Sequence, residues 1–432
     1  MPDVVAEEFQ ATPGPVKQPM DSLLLVLACT LIAIGIVTVF DASYAPALHA
    51  QLSPYHLLGR QAKWAACGLV GMIVALCVPY WFWRRFATHA VWLSIILLGL
   101  CFVPHVSHSI HGASRWIGPS ALQIQPSEFA KLALIVFLAS VCAGAAKRLR
   151  NFKKGLLPRL GVIVVVSALI AHEPDLGTAI VLTSTSLAML FLAGARKRHI
   201  GAVVAVALLV VVAYSVTKTY RMHRLIAFMN PEKYQQGDGY QVWHSLLALG
   251  SAGVPGLGFG EGIEKLNIPM AQTDFIFAVL GEEWGLIGTL TVLALFLLVA
   301  MRGYSIAHAT KDPFGALLAG GLTCLISFQT LINVAVVTSS IPNTGVPLPF
   351  VSYGGSALML MMVSVGLLLN ISRFPEGPGL RKKEEAEIPP NERDFNRRWD
   401  RRQYVPRVET DDTPRLRRSA SAESRPLTRT RE

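Results

Sequence analysis

The sequence predicts an all-α integral membrane protein of about ten transmembrane helices, with a large extracytoplasmic loop between helices 7 and 8. Three observations carry that prediction. Hydrophobic residues make up 52% of the 432-residue chain and charged residues only 16%, a balance unlike that of soluble globular domains. Apolar runs long enough to cross a hydrocarbon core of about 30 Å recur along most of the length, separated by short polar connections. Lys and Arg fall at every second connection, as the positive-inside rule requires: at Arg84 and Arg85, through 147–154, through 196–198, at Arg302 and Lys311, and in the C-terminal tail.

Residues 1–20 open with acidic residues and lack a basic n-region, so the first apolar run, 23–40, is expected to be a retained anchor and not a cleaved signal. Spans two to four are expected at 59–78, 89–103 and 127–145. The fourth is entered through Pro126 and Ser127. The fifth and sixth, 157–171 and 178–193, are separated by "AHEPDLGTA", where Pro174 and Gly177 make a tight turn. The seventh, 200–216, leads into the longest loop, 218–273, whose glycines (Gly250 to Gly262) punctuate an apolar stretch suited to a re-entrant or membrane-surface element. Spans eight to ten come at 275–301, 313–338 and 352–372. Before the last, Pro342, Pro347, Pro349, Gly354 and Gly355 in "IPNTGVPLPFVSYGG" rule out a regular helix. Irregular backbone at that depth is either a plain loop or a cavity wall. The membrane domain is thus 21–372, and 373–432, mixing both charge signs with Pro and Ser, is expected to be a disordered basic cytoplasmic tail. Both termini are expected in the cytoplasm.

The formal charge of +11 does not signal nucleic acid, because inward-facing loops and the tail account for it and anionic lipid is the natural counter-charge. The six cysteines stand singly in apolar runs without metal-type spacing, so neither a disulfide framework nor a thiolate site is implied.

Four constellations carry chemistry. "QTDFIFAVLGEEWG" holds Asp274 at the outer mouth of the eighth span and Glu282 and Glu283 about two turns deeper. At 100° per residue Glu282 lies about 80° and Glu283 about 180° around the helix from Asp274, so the three do not form one cluster. Asp274 suits a helix N-cap and also a catalytic carboxylate reachable by substrate; the glutamates suit buried pairing with a cation. "HGASRWIGPSALQIQPSEFAK" supplies Arg115 and Trp116 in an outer loop and then Glu128 and Lys131, one turn apart. These read either as a capped helix with a local ion pair or as a cationic phosphate site. "AHEPDLGTA" offers His172, Glu173 and Asp175; Asp175 suits a cap, and the trio is a weak metal or hydrogen-bonding set. The proline-rich segment before the last span is the fourth.

In their order, "SRWIG" with "QPSEFAK", "EPDLGTA", "TDFIFAVLGEEWGLIG" and "TGVPLPFVSYGGSAL" resemble the SEDS family of bacterial cell-wall proteins (shape, elongation, division and sporulation), which includes FtsW, RodA and SpoVE. The resemblance covers about 21–372 and leans towards the FtsW or SpoVE type. It implies a peptidoglycan glycosyltransferase of the bacterial cytoplasmic membrane that joins lipid II units into β-1,4 glycan and releases undecaprenyl pyrophosphate. The family's essential aspartate falls on Asp274, whose carboxylate would take the proton of the acceptor 4-hydroxyl. Arg115 and Lys131 are the implied cations for the leaving pyrophosphate, with Trp116, Glu128, Glu173 and Asp175 as further substrate-site candidates. A divalent cation, Mg²⁺ or Mn²⁺, could share that task, although no dedicated cage is written in the sequence; no organic cofactor is implied. The implied partners are a class B penicillin-binding protein transpeptidase and other division proteins. "EPDLGTA" departs from the family in carrying Glu173 where many relatives have Gln. Two rival readings remain at this stage: a lipid II flippase or other transporter, in which the buried charges mark a path, and a scaffold that recruits the transpeptidase.

Overall fold

The computed structural model describes residues 17–377, apart from 50, 52, 54, 104–106, 111–112, 119–122, 217–218 and 238. The expected tail, 378 onwards, and the acidic N-terminal segment through 16 lie outside the described residues. The chain runs α1 (Ser22–His49), α2 (Tyr55–Cys77), α3 (Tyr80–Leu100), β1 (Ser107–Ile110), β2 (Ala113–Ile117), α4 (Pro126–Cys142) and α5 (Ala146–Leu149), then a π-helical turn (Phe152–Leu156). It continues with α6 (Leu157–His172), α7 (Leu176–Leu192), α8 (Lys197–Val216), α9 (Thr219–Met229), α10 (Tyr240–Ser251), α11 (Ile276–Ala309), α12 (Pro313–Val337) and α13 (Gly355–Arg373).

Every expected span falls on a helix, and the protein is a multi-pass membrane protein. Judged singly, six helices among the described residues are long and apolar enough to cross a bilayer, or seven if α2 and α3, which meet at 115°, are one broken span. The expected ten is therefore not reached on length and apolarity alone. The shortfall has a physical source: α4 and α7 are only 17 residues each, and α4 carries Glu128 and Lys131 on a face buried by protein. A helix sheltered by its neighbours need not be apolar throughout or long enough to span unaided.

The fold is all-α as expected, with one short β-ribbon added. In the outer connection after α3, β1 and β2 pair antiparallel, with the register shifting between His108 and Ser109, and Ile117 bridges to Ile124. Burial is graded across the bundle. In their most apolar stretch α13 is 78% and α12 61% buried by protein, whereas α8 has no buried position. The irregular segment between α12 and α13 thus hangs from the two best-anchored helices, and α8 faces lipid.

The long outer loop is largely structured. It holds α9 and α10 and two short 3₁₀ turns, Pro231–Tyr234 and Glu264–Leu266. Ser245 on α10 donates to the carbonyl of Val337 at the end of α12 (2.7 Å), seating α10 on the bundle. The glycine-rich segment after α10 docks on a break in α11. Gly285 has φ +65° and ψ −162°, so the helix is interrupted there, and the loop repairs the freed backbone groups. Leu257 and Gly258 donate to the carbonyls of Glu282 and Glu283, while Leu286 and Ile287 donate to those of Gly253 and Val254, at 3.0–3.3 Å. A broken helix at membrane depth is tolerable only with such replacements. Glycine is required at the contact, since a Cβ on Gly285 would lie 2.2 Å from the backbone nitrogen of Gly256.

Candidate active site

Asp274 lies two residues before α11, partly buried. It does not cap the helix: Phe275 is the N-cap residue and no side chain bonds the first turn. Its position is fixed through its backbone. Asn333 on α12, fully buried, donates to the carbonyls of both Asp274 (2.7 Å) and Val346 (2.8 Å), clipping the aspartate loop to the proline-rich segment. The amide of Tyr353 adds a bond to the carbonyl of Gln272 (2.8 Å). Gly345, at φ +71°, brings bare backbone against the carboxyl, where a Cβ would stand 3.4 Å from Oδ2. The proline-rich segment is therefore a wall of the site.

The carboxyl of Asp274 receives no hydrogen bond among the described residues. Burial raises its pKa to about 6 and the charge of Asp175 adds to the rise, while Arg115 and Arg224 oppose it. Two carboxylates and two guanidinium groups thus share one field. Asp175 accepts from the Thr178 amide as the N-cap of α7 (3.1 Å) and from Gln125 Nε2 (3.0 Å). It is 2% exposed, so it acts on Asp274 through space and not by meeting a ligand.

Arg115, on β2, donates from Nε to the carbonyl of Glu173 (2.9 Å) and from Nη2 to that of Pro174. The β-ribbon is thereby stitched to the turn between α6 and α7, with Trp116 next in line and partly buried. Arg224, on α9, donates to the carbonyl of Asn343 (3.4 Å). Sequence reasoning missed it, although a basic residue in the loop expected outside runs against the positive-inside rule and was a usable signal.

The remaining candidates face inward. Lys131 is 2% exposed, bridges to Glu128 Oε1 (2.9 Å) and donates to Gln329 Oε1 (2.9 Å); Gln329 in turn donates to the carbonyl of Pro347 (3.0 Å). The geometry favours the local ion pair over a phosphate contact, and the chain Glu128–Lys131–Gln329–Pro347 braces the wall beside Asp274. Glu173 is 1% exposed, with the Cys101 thiol set against its carboxyl. Burial pushes its pKa up to about 8, with the charge of Asp175 helping and Cys101 and Arg115 opposing. Near neutral pH it is mostly protonated.

Glu282 and Glu283 serve the loop that carries Asp274. Glu282 accepts from the amides of Ile263 (2.8 Å) and Glu264 (3.1 Å), capping the 3₁₀ turn. Glu283 pairs with Lys265 (2.7 Å), and Lys265 also bonds both carboxylate oxygens of Asp41, within the C-terminal half of α1 (2.9 and 3.0 Å), and the carbonyl of Gly260 (2.9 Å). Burial lowers the Lys265 pKa, but the bonds and charges of Glu283 and Asp41 more than reverse this and hold it above the usual lysine value. This buried Asp41–Lys265–Glu283 knot ties loop, α1 and α11 together. Its members are distant in sequence, and Asp41 and Lys265 were not anticipated.

Among the described residues no three His, Cys, Asp or Glu side chains gather in a metal-binding cluster. Asp274 and Asp175, set among guanidinium groups, do not make a cage for a divalent ion.

Known proteins match this chain over most of its length. Residues 21–376 match the FtsW/RodA/SpoVE family model, described as cell cycle protein. The chain is 38% identical over 359 residues to stage V sporulation protein E of Bacillus subtilis, covering 83% of this chain and 98% of that protein. It is 40% identical over 353 residues to a probable peptidoglycan glycosyltransferase FtsW of Trichlorobacter lovleyi, covering 82% and 93%. Among solved structures it resembles a chain from work on a peptidoglycan synthase complex that coordinates polymerization and crosslinking, with TM-score 0.70, 29% identity and coverage of 83% and 99%. It also resembles rod shape determining protein RodA of Thermus thermophilus, with TM-score 0.61, 27% identity and coverage of 82% and 97%. With the match spanning α1 to the end of α13 and nearly the full length of these relatives, the chain belongs to the FtsW/RodA/SpoVE family of cell cycle proteins.

Proposed function

We propose that this protein is a peptidoglycan glycosyltransferase that polymerises lipid II into β-1,4 glycan, with Asp274 as general base. The observation that carries the reading is the Asp274 carboxyl itself: partly exposed, without a hydrogen bond among the described residues, its pKa raised to about 6, in the field of Arg115 and Arg224. Such a carboxylate is ionised at neutral pH yet basic enough to accept a hydroxyl proton as that hydroxyl attacks. The acceptor 4-hydroxyl loses its proton to Asp274 while its oxygen bonds to the donor's anomeric carbon. The bond from that carbon to the pyrophosphate breaks, and a single displacement turns the α-linked donor into a β-linked product. The charge appearing on undecaprenyl pyrophosphate calls for cations. Arg115 and Arg224 supply them, with Trp116 offering a ring face beside Arg115. Asp175, Glu173, Glu128 and Lys131 support the walls from beneath. A divalent ion, if it takes part, arrives with the substrate's pyrophosphate, and no step here depends on one.

From the distribution of basic connections we infer cytoplasmic termini and an Asp274 face on the outer side of the cytoplasmic membrane. The partner we infer is a class B penicillin-binding protein, within the division machinery, that crosslinks the emerging glycan. Purified full-length protein given lipid II, Mg²⁺ or Mn²⁺ and that transpeptidase in detergent should form glycan polymer resolvable on gels. Absence of polymer, together with lipid II movement across sealed vesicles, would favour the transporter reading instead.

A further inference from the structure

At the opposite end of the bundle from Asp274, the structure carries a basic cavity. Asp175 and Gln125 mark the ends of α7 and α4 at the site; α7 then runs 17 residues, about 25 Å, to the other membrane face. There a cavity of about 650 Å³ is lined by Lys147, Arg150, Asn151, Phe152, Arg196 and His199. Three elements build it: α5, the π-helical turn, and the start of α8. Phe152 and His199 meet edge to face (5.4 Å), joining the turn to α8.

The charge there is unbalanced. The sequence has no Asp or Glu from 129 to 172 or from 176 to 231, and no ion pair among the described residues involves Lys147, Arg150 or Arg196. Three exposed cations with no carboxylate partner among the described residues attract an anion, and α8, a 20-residue helix, begins next to Arg196. The surroundings select the kind of anion. α8 is uncovered by protein along its most apolar stretch, and the cavity-lining Phe152 is exposed, as are Leu157 just after the π-helical turn and Phe191 and Leu192 at the end of α7. A phosphate lodged among the cations would have apolar surface running from it into the bilayer, where acyl chains lie.

We propose that this cavity binds the headgroup of an anionic phospholipid of the leaflet opposite Asp274. Lys147, Arg150 and Arg196 take the phosphate, Asn151 donates to its oxygens or to the glycerol hydroxyls, and the exposed face of α8 carries the tails. This site is independent of the reading of Asp274 and stands or falls separately.

The test uses the full chain in detergent micelles, titrated with phosphatidylglycerol or phosphatidylcholine and read by native mass spectrometry. The wild type should retain phosphatidylglycerol at least about 10-fold more tightly than phosphatidylcholine, a difference of about 1.4 kcal/mol. Lys147→Gln/Arg150→Gln/Arg196→Gln should lose that preference. Lys153→Gln/Lys154→Gln/Arg198→Gln, which removes the same charge outside the cavity, should keep it. All substituted side chains are exposed, and a melting curve confirms that each variant is folded. Equal retention by the cavity variant and the wild type, or equal loss in the control, would overturn the proposal. Full displacement by millimolar inorganic phosphate would also overturn it, by marking a site for free phosphate and not for lipid.

Discussion

Replacing Lys265 by Met tests how the loop carrying Asp274 is held. Lys265 is 4% exposed and lies within 3.0 Å of both oxygens of Asp41, of Glu283 Oε1 and of the Gly260 carbonyl. Asp41 and Glu283 are themselves 7% and 2% exposed. Met keeps the length of the stem but leaves two buried carboxylates facing each other without a cation. Breaking one partner out of a buried pair costs about 3–5 kcal/mol, and a second orphaned charge pushes the cost to the upper end. The expected result is a fall of several degrees in the melting temperature of the full-length protein in detergent, and a larger loss in kcat than in lipid II affinity, because the loop delivers Asp274. Adding Asp41→Asn and Glu283→Gln to Lys265→Met removes the uncompensated charges and should recover most of the stability. If Lys265→Met melts within about a degree of the wild type, or the neutralised triple variant recovers nothing, the ion knot does not hold the loop.

Three further outcomes are expected of the site. With the Asp274 pKa near 6, initial rates should fall along an acid limb centred near pH 6, roughly two units above an ordinary aspartate; a limb near pH 4 would contradict the stated environment. Glu173 ionises near 4.5 when unfolded but at about 8 when folded. Between those values the unfolded chain gives up a proton that the fold retains, so stability declines as pH rises through that window. Glu173→Gln should therefore leave polymerisation near wild type at pH 7 and raise the melting temperature more at pH 8.5 than at pH 5.5, checked by paired melting curves. Gly285→Ala places a Cβ into the Gly256 backbone at a φ of +65°, costing about 1–3 kcal/mol in strain before any clash. Its melting curve should show this, while Ala at the open, helical Gly161 should not.

The spans were legible because apolar runs and alternating basic connections report directly on the bilayer, and Asp175 as a cap was legible because it sits beside a helix start. Asp274 was legible as a residue but not in its freedom from capping, which depends on the helix beginning one residue later than the apolar pattern suggests. The break at Gly285 was hidden, since a single glycine within "EEWGLIG" reads like any helical glycine until the 253–258 segment is seen to bond across it. Lys131 was ambiguous because its spacing from Glu128 shows that they can pair, not which way they face. The Asp41–Lys265 bond spans 224 residues, and no local pattern announces a contact of that kind. The β-ribbon, only four and five residues per strand, is too short to stand out from an outer loop.

The central claim is that the Asp274 carboxylate takes the proton of the attacking sugar hydroxyl. Its most direct test is the initial rate of glycan formation by Asp274→Asn, a nearly isosteric change, measured beside its melting curve and its lipid II binding. A folded variant that binds lipid II like the wild type but polymerises about 10²–10⁴-fold more slowly is the predicted result. Polymerisation within a few-fold of the wild type by that folded variant would contradict it.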